Sequence, residues 1–231
     1  MAVVSEPATD RPVVLRLGTV GDAPAAAALH ASLISEGFLA SLGPRFLCHL
    51  YRRVARDPGS FLLVAEVGGS VAGFLAGSVD LRALYRRFVL RDGVTAGVSV
   101  LPRLLGALPR VWETLRHGGG GEGSGGDGSG GEGSGGAADS GAGSGSDGSG
   151  GAAELLSVAV GPAWQGRHIG VALVDRFLAE AERRGARAAQ VVVGADNAPA
   201  IALYRRAGFS PARTFELHRG TASLLLRRHL P

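Results

Sequence analysis

Apolar positions along this chain switch between a period of two and a period near 3.6, and the switches mark out its elements. Val13 to Leu17 has the alternation of a first strand, and the Ala-rich run from Asp22, a candidate N-cap, to about Ser35 reads as a helix. A turn at Glu36-Gly37 separates it from an amphipathic helix over 44–56, where Phe46, Leu47, Leu50 and Val54 recur at helical spacing and Asp57-Pro58-Gly59 stops the run. Strands follow over 61–67 and 71–79, joined by the hairpin signal Gly68-Gly69. An excursion over 81–117 reads as helical pieces. The pattern resumes with a strand over 154–160, a turn at Gly161-Pro162, a helix from about 169 to 184, a strand over 188–193, a helix from about 198 to 207, and two strands around Gly220. The order βααββ followed by βαβαββ predicts an α/β fold with a mixed, mostly antiparallel sheet, a parallel central pair and flanking helices.

The pattern fails completely over 118–151. That stretch is Gly, Ser, Ala, Asp and Glu, carries half of the chain's 38 glycines, and has no apolar side chain larger than alanine. It has nothing to bury against its ordering entropy, which predicts a disordered internal linker. Loop-closure cost grows only logarithmically with length, so the flanking halves are expected to form one domain over 1–231.

Charge sharpens this division. Glu122, Asp127, Glu132, Asp139 and Asp147 are the only charges of the linker, so the formal +4 of the whole chain becomes +9 for the rest. Basic surface suits nucleic acid, anionic lipid or a polyphosphate ligand alike, and charge does not choose among them. Helix-turn-helix spacing, clustered zinc ligands and basic-aromatic motifs are all missing from the sequence, which argues against nucleic acid and a metal site. The single cysteine, Cys48, sits in an apolar helical pattern and is expected to be a structural thiol. The first dozen residues lack the pattern of a signal peptide, and a cytoplasmic location is expected.

Chemistry concentrates in two segments. In VAVGPAWQGRHIGVALVDRFL a strand runs through a turn holding Gly166 and Gly170 into a helix with Val171, Leu173, Val174, Phe177 and Leu178 on its apolar face. The free N–H groups of such a helix start, with its dipole, suit a pyrophosphate; a tight strand-to-helix turn with no ligand accounts for the glycines equally well. In ADNAPAIALYRRAGF, about thirty residues later, Asn197, Ala200, Ile201, Leu203, Tyr204, Gly208 and Phe209 follow a second pattern. Together with QGRHIGVAL it closely resembles the two signature motifs of the GNAT superfamily of acyl-CoA-dependent N-acetyltransferases. The resemblance is strong over 152–210, and in the N-terminal half it extends to the order of elements and the GFLAG hairpin strand.

The resemblance implies acetyl-CoA as co-substrate and direct attack of a primary amine on the thioester, with no acyl-enzyme. Gln165, Gly166, Arg167, His168, Ile169, Gly170, Val171 and Ala172 would then hold the pyrophosphate of coenzyme A. Val158, Ala159 and Val160 would lie along its pantetheine arm, a splayed N–H between Ser157 and Val160 would face the acyl oxygen, and Asn197 and Tyr204 would flank the arm and thioester. Tyr204 would be the acid that protonates the sulfur, and Glu154, at the start of the same strand, the base. One position departs from the family pattern: His168 stands where glycine is usual, which matters if the site needs positive φ or close approach to a phosphate.

The acceptor pocket implied by the resemblance lies between the first two helices and the last hairpin, at Glu36, Phe38 and His218, with Glu216 two residues before His218 on one strand. EGFLASLGPRFL with GFLAG resembles small-molecule acetyltransferases, so a small-molecule amine, an amino sugar being one candidate, is the expected acceptor; Val192, in place of the glutamate that members acting on protein N-termini carry in that strand, argues against that subgroup. Two alternatives stand beside it. One is a non-catalytic acyl-CoA-binding sensor or scaffold. The other uses the excursion over 81–117, whose arginines and Trp112 suit an anionic membrane surface, whereas a helical flap or homodimer face is the plainer reading of the same residues.

Overall fold

A computed structural model describes residues 11–34, 43–92, 151–218 and 221–231. Strand β1 (Val13–Leu17) leads through a single 3-10 turn, Val20–Asp22, into α1 (Ala23–Leu33). Then come α2 (Gly43–Arg56), β2 (Ser60–Val67), β3 (Ser70–Ser78) and α3 (Leu81–Asp92). The second half contributes β4 (Ala152–Val160), a 3-10 turn at Pro162–Trp164, α4 (Ile169–Arg183), β5 (Ala188–Gly194), α5 (Ala198–Arg206), β6 (Ser210–His218) and β7 (Thr221–His229). Seven strands form one sheet in the order β1-β2-β3-β4-β5-β7-β6, with β4–β5 the parallel pair and the others antiparallel. Of the expected excursion over 81–117, the described part is α3; the remainder, and the linker up to residue 150, lie outside the described residues.

Amphipathic patterning explains the layers. The apolar stripe of α4 (Ile169, Leu173, Val174, Phe177, Leu178) meets Phe61, Leu63 and Leu75 on one face of the sheet, and Tyr204 and Phe209 join the same core. On the other face α1, α2 and α3 bury Ala23, Phe46, Leu47, Tyr51, Leu84 and Phe88 against Leu62, Val64 and Phe74. Cys48 is half-buried at the edge of this second core. Phe61 and Phe177 stack with centroids 5.7 Å apart, directly over Gly77, where a Cβ would come within 2.7 Å of the Phe177 ring. Glycine at the end of the GFLAG strand is therefore a packing requirement.

Asp22 does occupy the N-cap of α1, but its side chain makes no cap hydrogen bond there. Its carboxylate turns back instead, accepting from the Thr19 N–H at 2.7 Å and from both terminal nitrogens of Arg16 at 2.9 and 2.7 Å. That pairing, Arg16 foremost, holds the carboxyl well below the usual carboxylate range.

β3 and β4 pair from Gly73↔Val160 to Ser78↔Glu154, so the chain leaves β3 and re-enters β4 at neighbouring points of the sheet. The register of this pair shifts between Ala76 and Gly77, opposite Ser157 and Leu155, so Leu156 is the extra residue of a bulge in β4.

Candidate active site

β4 and β5 pair only over Ala152↔Ala188 to Leu155↔Val191. Beyond Leu155 the two strands part, and the β5-facing edge of Val158, Ala159 and Val160 has no strand partner. The bulge at Leu156 sits where they separate. It bends β4 away from its neighbour and opens a cleft toward the N-terminus of α4. At the mouth of this cleft the Gln165 side-chain amide donates to the Val160 carbonyl at 3.1 Å.

The loop into α4 offers a run of donors. The first backbone hydrogen bond of the helix is from Ala172 N–H to the His168 carbonyl, at 3.0 Å, and the N–H groups from Gly166 to Val171 donate to no described residue. Gly166 has φ +78° and His168 φ +58°, so left-handed residues alternate with right-handed or extended ones and turn successive N–H groups toward one side. That geometry is an anion nest, reinforced by the helix dipole. Two of the expected loop residues do other work: the Arg167 guanidinium lies over the Trp164 ring, 5.2 Å from its centroid, and donates to the Arg11 carbonyl, while Ile169 is buried in the core.

His168 is the one non-glycine residue with positive φ among the described residues. Histidine tolerates this region better than most residues, but glycine does so without cost. The left-handed conformation costs about 1–2 kcal/mol, more than the ~0.5–1 kcal/mol that glycine loses in unfolded-state freedom. His168→Gly is therefore expected to raise Tm by roughly 1–4 °C, measured by calorimetry.

Asn197 caps α5, its side-chain oxygen accepting from the Ala200 N–H at 3.1 Å. Tyr204, on α5, is 4% exposed and packs edge-on against Phe209 at 5.8 Å. Its hydroxyl has no hydrogen-bond partner among the described residues, yet it is not among the sealed side-chain atoms that lack one. Burial pushes its pKa up, so the phenol stays protonated.

Glu154 lies on the opposite face from Tyr204, since its neighbours Ala153 and Leu155 point into the α4-side core. Burial pushes its carboxyl up to about 7, against the opposing effects of the Gln190 amide, which hydrogen-bonds it from β5, and of Arg227 on β7. Tyr85 of α3 faces it and is itself raised to about 12, by burial first and by the Glu154 charge second. None of Gln190, Arg227 and Tyr85 was indicated by the sequence, because the first two reach Glu154 from other strands of the sheet and the third from a helix packed on it.

The expected acceptor residues fare differently. Glu36 and Phe38 lie outside the described residues, and His218 is described by its backbone alone. Glu216 too is described by its backbone alone, and the β6–β7 register shifts between it and His218. No helix among the described residues is long and apolar enough to cross a membrane.

Residues 135–209 match the model of the acetyltransferase (GNAT) family. Among curated proteins the chain is 40% identical over 57 residues to an uncharacterised N-acetyltransferase of Methanocaldococcus jannaschii, covering 25% of each chain. It is 42% identical over 60 residues to the ribosomal protein bS18-alanine N-acetyltransferase of Escherichia coli, covering 26% of this chain and 40% of that one. The matches thus span about a quarter and two fifths of those relatives. Among solved structures, yncA of Salmonella typhimurium with its cofactor acetyl-CoA superposes at a TM-score of 0.58 and 16% identity, over 95% of both chains. Both motifs thus fall inside the segment that matches the acetyltransferase (GNAT) family, and the chain shares its fold with the yncA acetyltransferase structure over nearly its whole length.

Proposed function

We propose that the protein is an N-acetyltransferase that uses acetyl-CoA as co-substrate and transfers the acetyl group to a primary amine by direct attack. The observation that carries this reading is the run of unpartnered N–H groups from Gly166 to Val171, opening onto the cleft between β4 and β5. Those donors fit a diphosphate, and the free edge of Val158 to Val160 fits the amide-bearing pantetheine arm. Acetyl-CoA brings the activated acyl group. The chain's own residues then have two protons to manage as the C–N bond forms and the C–S bond breaks. Glu154 takes one from the attacking nitrogen, and Tyr204 gives one to the departing sulfur, each approaching from its own face of the sheet.

The acceptor on this reading is a small molecule. Val192, half-buried on β5, supports it by leaving no second carboxylate beside Glu154 on that strand. The experiment is release of free thiol from acetyl-CoA across a panel of amino sugars, polyamines and amino acids, with an alanine-initiated peptide included because of the bS18-alanine relative. Turnover of the peptide alone would move the acceptor to protein N-termini. Tight binding without turnover on any amine would make the protein a sensor.

Gly170 tests the diphosphate site itself. A Cβ there would meet nothing closer than Leu203 Cδ2 at 3.7 Å, so the fold does not demand glycine at this position. Gly170→Val is expected to weaken acetyl-CoA binding by about tenfold or more by calorimetry, with Tm close to wild type, because the added side chain crowds the donors of the helix start. Unchanged affinity would remove the phosphate assignment.

A further inference from the structure

Three polar side chains meet in the core between α1, α2 and β4, and the chemistry proposed above uses none of them. His30 on α1 is 2% exposed, Tyr51 on α2 1% and Ser157 on β4 8%. Nδ1 of His30 lies 2.5 Å from the Tyr51 hydroxyl, which lies 2.9 Å from Ser157 Oγ. Phe74 stands edge-on to Tyr51 at 5.0 Å, and the Tyr85 phenol of α3 acts on Tyr51 from the same side of the sheet. Burial keeps the imidazole below and the phenol above their usual pKa, so all three groups are neutral.

A neutral chain of this kind has two proton arrangements. In one, Ser157 donates to Tyr51 and Tyr51 to Nδ1; His30 must then carry its proton on Nε2, which is buried and has no partner among the described residues. In the other, Nδ1–H donates to Tyr51 and Tyr51 donates to Ser157, leaving Nε2 as an unpaired acceptor. Buried N–H groups with no acceptor are rarer than under-satisfied acceptors, which selects the second arrangement. The Ser157 proton is then unspent, because Ser157 makes no other hydrogen bond among the described residues. Its position gives that proton a destination. Ser157 directly follows the bulge residue Leu156 and lies two residues beyond Leu155, the last residue of β4 paired with β5.

We propose that the Ser157 hydroxyl is a second donor to the acyl carbonyl oxygen, beside the backbone of the parted strand, and that His30 and Tyr51 are positioning residues that aim its proton into the cleft. The inference rests on the acetyl-CoA reading. Acetyl-CoA and CoA differ only by the acyl group that Ser157 addresses, so calorimetry with both ligands separates the two claims. Ser157→Ala is expected to weaken acetyl-CoA by about two- to tenfold, the worth of one neutral hydrogen bond, and to leave CoA affinity unchanged. Tyr51→Phe should shift the same ratio in the same direction, and its effect on the ratio should vanish in the Ser157→Ala background. Nitrogen-15 spectra of the wild-type protein should show the His30 proton on Nδ1. Equal weakening of both ligands, an unchanged ratio, a Tyr51→Phe effect that persists without Ser157, or a proton on Nε2 would each overturn the Ser157 assignment while leaving acetyl-CoA in place. A wild-type chain that binds neither ligand would overturn both.

Discussion

Tyr204→Phe is expected to lower kcat by roughly 10²–10⁴-fold, the usual worth of a positioned general acid, while acetyl-CoA affinity and Tm stay near their wild-type values. The substitution keeps the ring, and with it the edge-on contact to Phe209 and the burial in the α4-side core. It removes a hydroxyl that has no hydrogen-bond partner among the described residues, so no internal bond is lost with it. A structural tyrosine in the same place would lose almost nothing in either quantity. The departing group is a thiolate, which leaves more readily unaided than an alkoxide, so a loss at the lower end of the range still fits the assignment. Wild-type turnover, measured where chemistry limits the rate, would reduce Tyr204 to a packing residue.

The second large effect is at Glu154. Glu154→Gln keeps the shape of the side chain and removes the base, and kcat/KM is expected to fall by about 10²–10⁴-fold. The wild-type profile of kcat/KM against pH should rise through the Glu154 pKa of about 7, because only the carboxylate accepts a proton, and this inflection should disappear in the variant. Stability should move the other way. The carboxyl holds its proton more tightly folded than unfolded, so its contribution to stability is fully present below the ordinary value of 4.5 and is lost as pH rises through about 7. The variant does not ionise, so its Tm should exceed that of the wild type at pH 8 and converge with it at pH 4. Reduced activity with unchanged Tm at pH 8 would show that the carboxylate carries no desolvation cost.

Much of this architecture was legible from the chain. Strand and helix positions followed from local periodicity, and their bounds moved by only a residue or two, as with β2 at Ser60–Val67 or α4 at Ile169–Arg183. The glycine turn into α4 was legible for the same reason: a helix start with glycines is set by adjacent residues, and its donors are backbone groups that exist whatever side chains surround them. The departure at His168 was visible as a departure, but its consequence needed the backbone angle. Asp22 shows the limit of cap rules, because Arg16 and Thr19 compete for the same carboxylate.

What only the tertiary structure decided is how residues far apart in sequence meet. The bulge at Leu156 exists because β4 must pair with β3 on one side and part from β5 on the other, and no pattern within β4 announces it. Glu154 became a candidate base through Gln190, Arg227 and Tyr85, which arrive from two other strands and a helix. His30 and Tyr51 lie on two different helices, and the bond between Tyr51 and Ser157 joins residues 106 positions apart. The sequence by itself determined what depends on neighbours along the chain: the order of elements, the glycine turn and the donors of a helix start. Desolvation, strand splay and the direction of a hydrogen-bond relay depend on neighbours in space, and packing alone supplied them.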